Sequence, residues 1–591
     1  MLRGIAASPG FAIAPAYHFK VLEPPVERCE IGADEIGAEI DRFKTGVEQA
    51  KHELRAIRDR LAREMGEDYA RFLDAQLLVL EDEMAIKDTI ERVQRERVNA
   101  AYVFDEIVRR TAASIGALDD GYLRERAPDI KDVGRRVLRI MRGEPHGSII
   151  PMDHEVILTA HDVNPSDTAQ LRGKKVAGIV TEVGGRTSHM AIMARALEIP
   201  AVVGVREAGK KIADGDMVIV DGNKGVVIVN PDDEELERYR SKRQQYVLFT
   251  HDLEQLRDSP AVTVDGHEVQ LSANIELSEE VPSAIEHGCR GIGLFRTEFL
   301  FLTSLRLPDE EEQFHIYDEV AELIAPETVI IRTLDIGGDK VMHDVGTGEM
   351  NPYLGWRAIR FSLTCQDIFR SQLRAILRAS TRKNVKVMYP FVATIEELRQ
   401  INVIFREVQD DLKRDSIPFD EECESGLMIE TPSAALTADA MARETDFFSI
   451  GSNDLTQYTL AVDRGNERVA HLFMHYHPAV LRLMERVVHA AHSNGISVGV
   501  CGEVAGDLLV VPVLLGLGLN ELSTNPIDLP RVKRVVRSLS LREAKRMART
   551  VLGISSGEGV RRFLAERFQS AYPDLAELLI DQETREVQPI R

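Results

Sequence analysis

The chain has 591 residues, which is too many for a single domain and enough for about three or four. Its 73 lysines and arginines against 96 aspartates and glutamates give a net charge of −23, which argues against nucleic acid or an anionic membrane as the main partner. Five scattered cysteines without metal-type spacing fit a reducing cytoplasm, and the most apolar stretch, 508–519, is broken by Pro512 and two glycines and is too short to span a bilayer.

The first 25 residues and the segment 145–230 are predicted to form one α/β domain. The start of the chain is β-like and rich in turns, and strand patterns alternate with one helix pattern between Val156 and Asn230. Two apolar runs flank the turn sequence Asp221–Gly225, which predicts a β-hairpin. We therefore expect the N-terminal strands to complete the later domain, with the intervening residues inserted into it.

Residues 26–144 are predicted to form this insertion as a small all-α domain. Pro128 is the only proline between Pro25 and Pro145, and apolar residues recur at helical spacing. Examples of that spacing are Leu73, Leu77, Leu80 and Met84.

A helix pattern at 190–197 follows the sequence Gly184-Gly185-Arg186-Thr187-Ser188-His189. Glycines let the backbone approach closely, Thr and Ser are good N-cap residues, and the free amides at a helix start favour an anion such as phosphate. The positive end of the helix would also keep the His189 imidazole neutral and nucleophilic. His189 is therefore a candidate phosphoryl carrier, and a capping loop whose histidine only packs is the alternative.

The charged segment 231–260 is predicted to be a linker helix, and the pattern changes again over 261–575. Eight apolar runs alternate there with helical segments, which predicts a (β/α)8 TIM barrel, with a doubly wound open sheet as the competing arrangement. Residues 576–591 form a C-terminal tail, so the predicted fold class is multidomain α/β. The runs are Leu271–Ile275, Gly291–Phe295, Val329–Leu334, Val385–Phe391, Leu427–Ile429, Phe447–Ile450, Val498–Val500 and Gly518–Leu522.

Polar side chains follow most of these runs, and in a barrel they would meet at the carboxyl ends of the strands, where active sites lie. They are Asn274, Arg296, Glu298, Arg332, Asp335, Glu430, Asn453, Asp454, Cys501, Glu503 and Ser523.

Taken together, these residues predict a site that binds a small polyanion through a metal. Arginine forks suit carboxylate and phosphate oxygens, as at Arg296, Arg332 and Arg464, although ion pairing at the surface is the alternative for each one taken singly. Lys340 would add a point charge. Glu430 and Asp454 are the hard oxygen ligands that Mg2+ prefers. Cys501 is a candidate acid or base in catalysis, and a buried structural cysteine is the alternative.

Seven motifs, in this order and spacing, resemble enzyme I of the bacterial sugar phosphotransferase system, the phosphoenolpyruvate–protein phosphotransferase family. The resemblance runs nearly from end to end and includes the helical insertion. The motifs are Gly184–His189, Leu294–Glu298, Arg332–Lys340, Asn351-Pro352 with Gly355–Arg357, Met428–Pro432, Ser449–Leu455 and Cys501–Glu503.

The resemblance implies a reaction and a set of roles. Phosphoenolpyruvate would bind the barrel with Mg2+ and phosphorylate a nitrogen of His189, which would pass the group to a histidine of the phosphocarrier protein HPr. This is the first step of sugar uptake by the phosphotransferase system, and it releases pyruvate. Glu430 and Asp454 would ligate Mg2+, and Cys501 would protonate the enolate carbon. The substrate would be held by Arg296, Arg332, Asn453, Asp454 and Arg464, with Lys340 as a weaker candidate.

It also implies a homodimer that associates through the barrel. Charge and composition predict a cytoplasmic protein with no nucleic acid as partner and no membrane insertion. The α/β domain that carries His189 would swivel on the linker between the barrel and HPr, and the helical insertion would bind HPr. Core packing is the alternative for the leucines of that surface. Its candidate residues are Leu77, Leu78, Leu80, Glu81, Asp82 and Glu83, with the neighbourhood of Tyr122 and Arg126.

Two other functions are compatible with parts of this pattern. Phosphoenolpyruvate synthases and pyruvate phosphate dikinases share a swivelling phosphohistidine domain, but they need a large ATP-binding domain before it. Here about 150 residues precede that domain, they are helix-prone, and the sequence has no P-loop. A non-catalytic scaffold of the same fold would be expected to have lost site residues, whereas every matched position is filled.

Overall fold

The computed structural model describes most of the chain, in two compact units. The first lies within Met1–Phe249 and includes Ala576, and the second lies within Thr250–Pro573. No helix in these described parts is both long and apolar enough to cross a membrane. The described residues are 1–19, 26–65, 76–77, 79–80, 83–116, 121–143, 154–161, 163, 175–185, 189–302, 307–337, 351–464, 466, 468–573 and 576.

The first unit contains an eight-stranded sheet with the order β1-β8-β7-β3-β4-β5-β6-β2. Strands that precede the helical segment therefore lie beside strands that follow it. The predicted hairpin is confirmed, because β7 and β8 pair antiparallel and Asp221 Oδ1 accepts the amides of Asn223 and Lys224 in the turn. The strands are β1 Leu2–Arg3, β2 Ile5–Ser8, β3 Phe11–His18, β4 Val156–Ala160, β5 Val176–Thr181, β6 Ala201–Val203, β7 Met217–Asp221 and β8 Val226–Val229.

Six helices of the described chain belong to the helical segment and the α/β sheet of the first unit, and a seventh, α7, begins in the first unit and ends within the first residues of the second. They are α1 Ile36–Met65, α2 Glu83–Glu96, α3 Ala100–Gly116, α4 Gly121–Met141, α5 His189–Ala196, α6 Ala208–Lys211 and α7 Asp233–Glu254.

The helical segment packs around fully buried residues such as Phe43, Leu54 and Val103. The heptad-like spacing fails at its last position, because Met84 is 79% exposed. It lies in the first turn of α2, whose buried face, at Thr89 and Val93, points roughly the opposite way.

The second unit is a closed barrel of eight parallel strands, and β16 closes it by pairing with β9. The (β/α)8 prediction is confirmed and the open sheet is excluded. The strands are β9 Gln270–Ile275, β10 Ile292–Arg296, β11 Val329–Arg332, β12 Val385–Tyr389, β13 Ser425–Ile429, β14 Phe447–Gly451, β15 Ser497–Cys501 and β16 Glu521–Thr524.

The bounds of the last predicted run, Gly518–Leu522, are wrong. Gly518 has a φ of 103° and ends the preceding helix, so the strand begins only at Glu521. The apolar signal there is shared between a buried helix and a strand, and periodicity alone does not separate the two.

The barrel helices cover the strands, and several begin at sequence-encoded caps. Asp309, Thr394 and Ser540 each form a capping box with the glutamate three residues later. The helices are α8 Glu280–Glu286, α9 Glu298–Leu302, α10 Glu310–Ile324, α11 Ala358–Thr364, α12 Gln366–Ala379, α13 Ile395–Arg414, α14 Pro432–Leu436, α15 Ala438–Met441, α16 Ser452–Leu460, α17 Pro478–Ser493, α18 Val511–Leu517, α19 Leu529–Ser538, α20 Leu541–Gly553 and α21 Gly557–Ala571.

Candidate active site at the carboxyl end of the barrel

The carboxyl ends of the barrel strands bring together side chains that lie far apart in the sequence. Arg296, Arg332 and Cys501 are the last residues of β10, β11 and β15. Glu430 directly follows β13, and Asp454 lies in the first turn of α16, after β14. Because all eight strands are parallel, these positions share one end of the barrel.

Three carboxylates form the acidic part of this site. Asp335, Glu430 and Asp454 each offer an oxygen within 4.8 Å of the others. Glu430 is 2% exposed, and its Oε1 accepts the Phe391 N–H at 2.6 Å. Burial raises the pKa of Glu430 well above its usual value, and the charges of Asp454 and Asp335 raise it further. A divalent cation would offset this repulsion, and oxygen ligands are the type that Mg2+ takes.

Two arginines face these carboxylates, Arg332 buried and Arg357 partly buried. Arg332 contacts Glu298 Oε1 at 2.8 Å and Asp335 Oδ2 at 3.2 Å. Arg357 contacts Asp335 Oδ1 at 2.7 Å and Asp454 Oδ2 at 3.2 Å. The site is therefore a mesh of opposite charges rather than a set of isolated pairs.

The charge mesh sets the ionisation of its carboxylates. Burial alone would raise the pKa of Asp335, but the charges of Arg332 and Arg357 outweigh it and hold that pKa below its usual value. The pKa of Glu298 is raised, because burial and the charge of Asp335 outweigh its arginine partners. Arg332 Nε is buried and has no hydrogen-bond partner among the described residues. An anionic ligand would satisfy it.

Arg357 is a site residue to which the sequence analysis assigned no role. It precedes α11 and directly follows none of the eight barrel strands, so the strand-end rule does not select it. Its Nη1 donates to the Tyr458 hydroxyl at 3.1 Å, and its guanidinium lies 4.8 Å from the centre of the Phe391 ring. Only its place in the Gly355–Arg357 motif marks it in the sequence.

Cys501 lies beside the same site and is buried. It is 2% exposed, and its Sγ accepts a hydrogen bond from Ser449 Oγ at 3.4 Å. Burial raises the pKa of the thiol to about 11, so the group holds its proton at neutral pH.

The other predicted substrate residues lie at different distances from this centre. Asn453 Oδ1 accepts the backbone N–H of Glu503 at 3.2 Å, which joins the loops after β14 and β15. Arg296 is partly exposed and pairs with Glu276 at 2.6 Å. Arg464 is exposed, and its guanidinium takes no part in the ion pairs found in the described chain. Lys340 lies outside the described residues.

His189 begins α5 in the first unit, after the parallel strand β5. Met190, Ala191 and Ala194 of this helix are buried in the sheet core, which fixes its position. Gly184 and Gly204 have φ values of 115° and 70°, and a Cβ on Gly204 would lie 3.2 Å from the Gly184 carbonyl oxygen. Of His189 the structure describes the backbone only, and 186–188 lie outside the described residues.

The predicted HPr surface is described only in part. Leu80 is buried, at 3% exposure, and Leu77 is half-buried. Leu78, Glu81 and Asp82 lie outside the described residues, and Glu83, Tyr122 and Arg126 contribute only their backbone. The surface therefore stays a prediction.

Comparison with known proteins covers nearly the whole chain. Residues 3–126 match the family described as "PEP-utilising enzyme, N-terminal", 152–225 match "PEP-utilising enzyme, mobile domain", and 250–541 match "PEP-utilising enzyme, PEP-binding domain". The chain is a member of the phosphoenolpyruvate-utilising enzymes.

Individual relatives identify one family within the phosphoenolpyruvate-utilising enzymes. The phosphoenolpyruvate-protein phosphotransferase of Bacillus sp. (strain S) is 45% identical over 571 residues, which are 96% of this chain and 98% of that protein. That of Priestia megaterium is 44% identical over 568 residues, 96% of this chain and 99% of that protein. A structure described as "NMR solution structure of Enzyme I (nEIt) protein" covers 42% of this chain and 99% of its own, at 38% identity and a TM-score of 0.36. The chain belongs to the phosphoenolpyruvate-protein phosphotransferase family.

Proposed function

We propose that the protein is a cytoplasmic enzyme that transfers the phosphoryl group of phosphoenolpyruvate to His189 and then to HPr, with release of pyruvate. The observation that carries the proposal is the mesh of Asp335, Glu430 and Asp454 with Arg332 and Arg357 at the carboxyl end of the barrel. Family membership supports the same reaction, because the relatives that match nearly the whole chain are named phosphoenolpyruvate-protein phosphotransferase.

Substrate binding is assigned to cationic and amide groups around this mesh. Phosphoenolpyruvate carries a phosphate and a carboxylate, and planar guanidinium groups pair well with both. The buried, unpartnered Nε of Arg332 supports its role, and its carboxylate partners already hold the guanidinium in place. The proposed set is Arg296, Arg332, Asn453, Asp454 and Arg464. We add Arg357 to it, because its Nη2 donates to Asp454 Oδ2 at 3.2 Å.

Mg2+ is the metal that fits the carboxylate cluster best. Glu430 and Asp454 would hold it, and Asp335 offers a third oxygen within 4.8 Å. When bound, the metal supplies charge neutralisation for the phosphoryl oxygens.

The proposed reaction uses two groups of this chain, a nucleophile and a proton donor. A ring nitrogen of His189 attacks phosphorus, a P–N bond forms, and the P–O bond to the enolate breaks. Cys501 gives its proton to the enolate carbon, which completes pyruvate, and the thiol regains a proton from water. Phospho-His189 next donates the group to a histidine of HPr.

The domain organisation follows from this reaction. The α/β domain of 1–25 and 145–230 would present His189 first to the barrel and then to HPr, with 231–260 as the linker. HPr would bind the inserted helices of 26–144, and the barrel of 261–575 would form the homodimer. These assignments rest on the family's resemblance and on the division of the chain into two units.

Incubation with phosphoenolpyruvate labelled on phosphorus tests the proposal. With Mg2+ we expect acid-labile label on the protein, movement of that label to added HPr, and release of pyruvate. Chelation of Mg2+ with EDTA should prevent labelling. Label that required ATP would favour a dikinase-like enzyme and contradict the proposal, and a protein that took no label at all would support the non-catalytic scaffold.

Replacement of Cys501 by alanine should lower pyruvate formation about a hundredfold, because the proton donor is lost. The affinity for phosphoenolpyruvate should change little. Since the pKa of Cys501 is about 11, the wild-type rate should show no decline from this group as the pH rises from 7 to about 9. Steady-state kinetics across pH would measure both effects.

Cys423 provides the matched control for this variant. It is also buried, at 6% exposure, and burial raises its pKa to about 12, but it precedes β13 and donates to the Val385 carbonyl at 3.4 Å. Cys423→Ala should keep normal turnover. Equal losses in the two variants would remove the proton-donor role from Cys501.

A further inference from the structure

We propose that Gln372 is a positioning residue that fixes the ends of β10 and β11, and with them the arginines of the phosphoenolpyruvate site. The inference rests on the proposed function of that site. Gln372 lies on α12, behind the barrel strands, and is 1% exposed. Glutamine is rarely buried to this extent unless its amide is fully hydrogen-bonded.

The Gln372 amide joins the two strand ends directly. Its Oε1 accepts the backbone N–H of Leu334 at 2.9 Å, and its Nε2 donates to Thr297 Oγ1 at 3.1 Å. Thr297 Oγ1 in turn donates to the Arg332 carbonyl at 2.9 Å. One side chain therefore contacts both the loop after β10 and the loop after β11.

The donor and acceptor of each hydrogen bond in this network follow from the chemistry of the groups. The Leu334 N–H needs an acceptor, so the oxygen of the Gln372 amide must face it. The second Nε2 hydrogen reaches the Tyr317 hydroxyl at 3.2 Å, which donates to Gln313 Oε1 at 3.2 Å. Tyr317 and Thr297 are fully buried and Gln313 is 1% exposed. A buried network in which each member is satisfied is rigid, and it tolerates a missing partner poorly.

The residues that this network fixes are next to the charge mesh in the sequence. Thr297 stands between Arg296 and Glu298, and Leu334 directly precedes Asp335. Glu298 Oε1 accepts both Arg332 Nη2 at 2.8 Å and the Asp335 backbone N–H at 3.1 Å. A shift of either strand end would therefore move both arginines and the Asp335 carboxylate together, and small displacements of such groups weaken binding.

Gln372→Met tests the role, because methionine has a similar volume and neither donates nor accepts these bonds. We expect the KM for phosphoenolpyruvate to rise about tenfold, with a smaller change in kcat, since the arginines bind substrate but do not react. The assay is phosphoenolpyruvate-dependent transfer to HPr, with the melting temperature of each variant recorded.

Asn384→Leu is the matched control at the other end of β11. Asn384 is also a buried amide, at 5% exposure, and its Nδ2 donates to the carbonyls of Ala321 and Glu327 at 2.9 and 3.0 Å. This variant should lose stability by a similar amount while its KM stays within about twofold of the wild-type value. A purely structural role of Gln372 would make the two variants alike.

Gln372→Glu supplies a second readout that does not depend on the methionine variant being folded. Burial favours the neutral acid, which keeps an acceptor for Leu334 and one O–H donor. As the pH rises through the raised pKa, the carboxylate loses that donor, so the ratio of its KM to the wild-type KM should increase with pH.

The outcomes separate this inference from the proposed function. A wild-type protein that takes no label from phosphoenolpyruvate overturns the function, and the inference with it. If the wild type is active, a Gln372→Met KM within twofold of the wild-type value overturns the inference alone. So does an equal rise in KM for Asn384→Leu, or a Gln372→Glu ratio that stays at one across the pH range.

Discussion

His189→Ala should abolish the transfer of label from phosphoenolpyruvate to the protein and to HPr. Alanine has no nitrogen to accept the phosphoryl group, and the proposed reaction has no other nucleophile. The helix should persist, because Met190, Ala191 and Ala194 hold it in the sheet core. Autoradiography after acid and alkaline treatment would measure the loss, and circular dichroism would show that the fold is kept.

His161→Ala is the control for a histidine at a neighbouring strand end. His161 follows β4, is largely exposed, and pairs with Glu182 at 2.6 Å. Its replacement should leave labelling intact, because it lies outside the Gly184–His189 motif. Label that survived in His189→Ala, or that disappeared equally in both variants, would contradict the assignment of His189.

Glu430→Gln should lower turnover about a thousandfold and weaken the apparent affinity for Mg2+. Glutamine keeps an oxygen that accepts the Phe391 N–H, so the change removes charge and little else. Titration of activity with Mg2+ would measure both effects.

The stability of this variant gives an independent readout. Because the pKa of Glu430 is raised in the folded protein, its ionised form costs stability, and that cost grows as pH rises above the pKa of the unfolded chain. Without Mg2+, Glu430→Gln should therefore melt at the same temperature as the wild type or higher at neutral pH. A lower melting temperature would indicate that the ionised carboxylate is a structural element.

Glu521→Gln is the matched control at the opposite end of the barrel. Glu521 is the first residue of β16, and burial raises its pKa as well. It belongs to a cavity at the amino ends of the strands, away from the carboxylate cluster. Turnover and Mg2+ dependence should stay within about twofold of the wild-type values. A thousandfold loss here would show that any buried charge in the barrel is essential.

Much of the fold can be predicted from local sequence patterns. The eight apolar runs predict the barrel because strands buried on both faces are nearly continuous in apolar residues. The turn after β7 is likewise predicted by its own Asp, Gly and Asn residues. Where one apolar stretch serves both a helix and a strand, as at 508–522, local pattern does not give the boundary.

The sequence by itself also identifies the residues that follow each strand, because parallel strands in a closed barrel must bring their carboxyl ends together. That rule selects Arg332, Glu430, Asp454 and Cys501, and the glycine-rich turn before a helix selects His189. Their chemical roles remain proposals that the variants above test.

Only the tertiary structure decides which other groups these residues meet. Arg357 reaches Asp454 across 97 residues of sequence, and it directly follows none of the eight barrel strands. Gln372 reaches Thr297 across 75 residues, although a glutamine in a helix is usually a surface residue. Local patterns record burial and backbone conformation, whereas these contacts arise from the closure of the barrel and the packing of α10 and α12 against it.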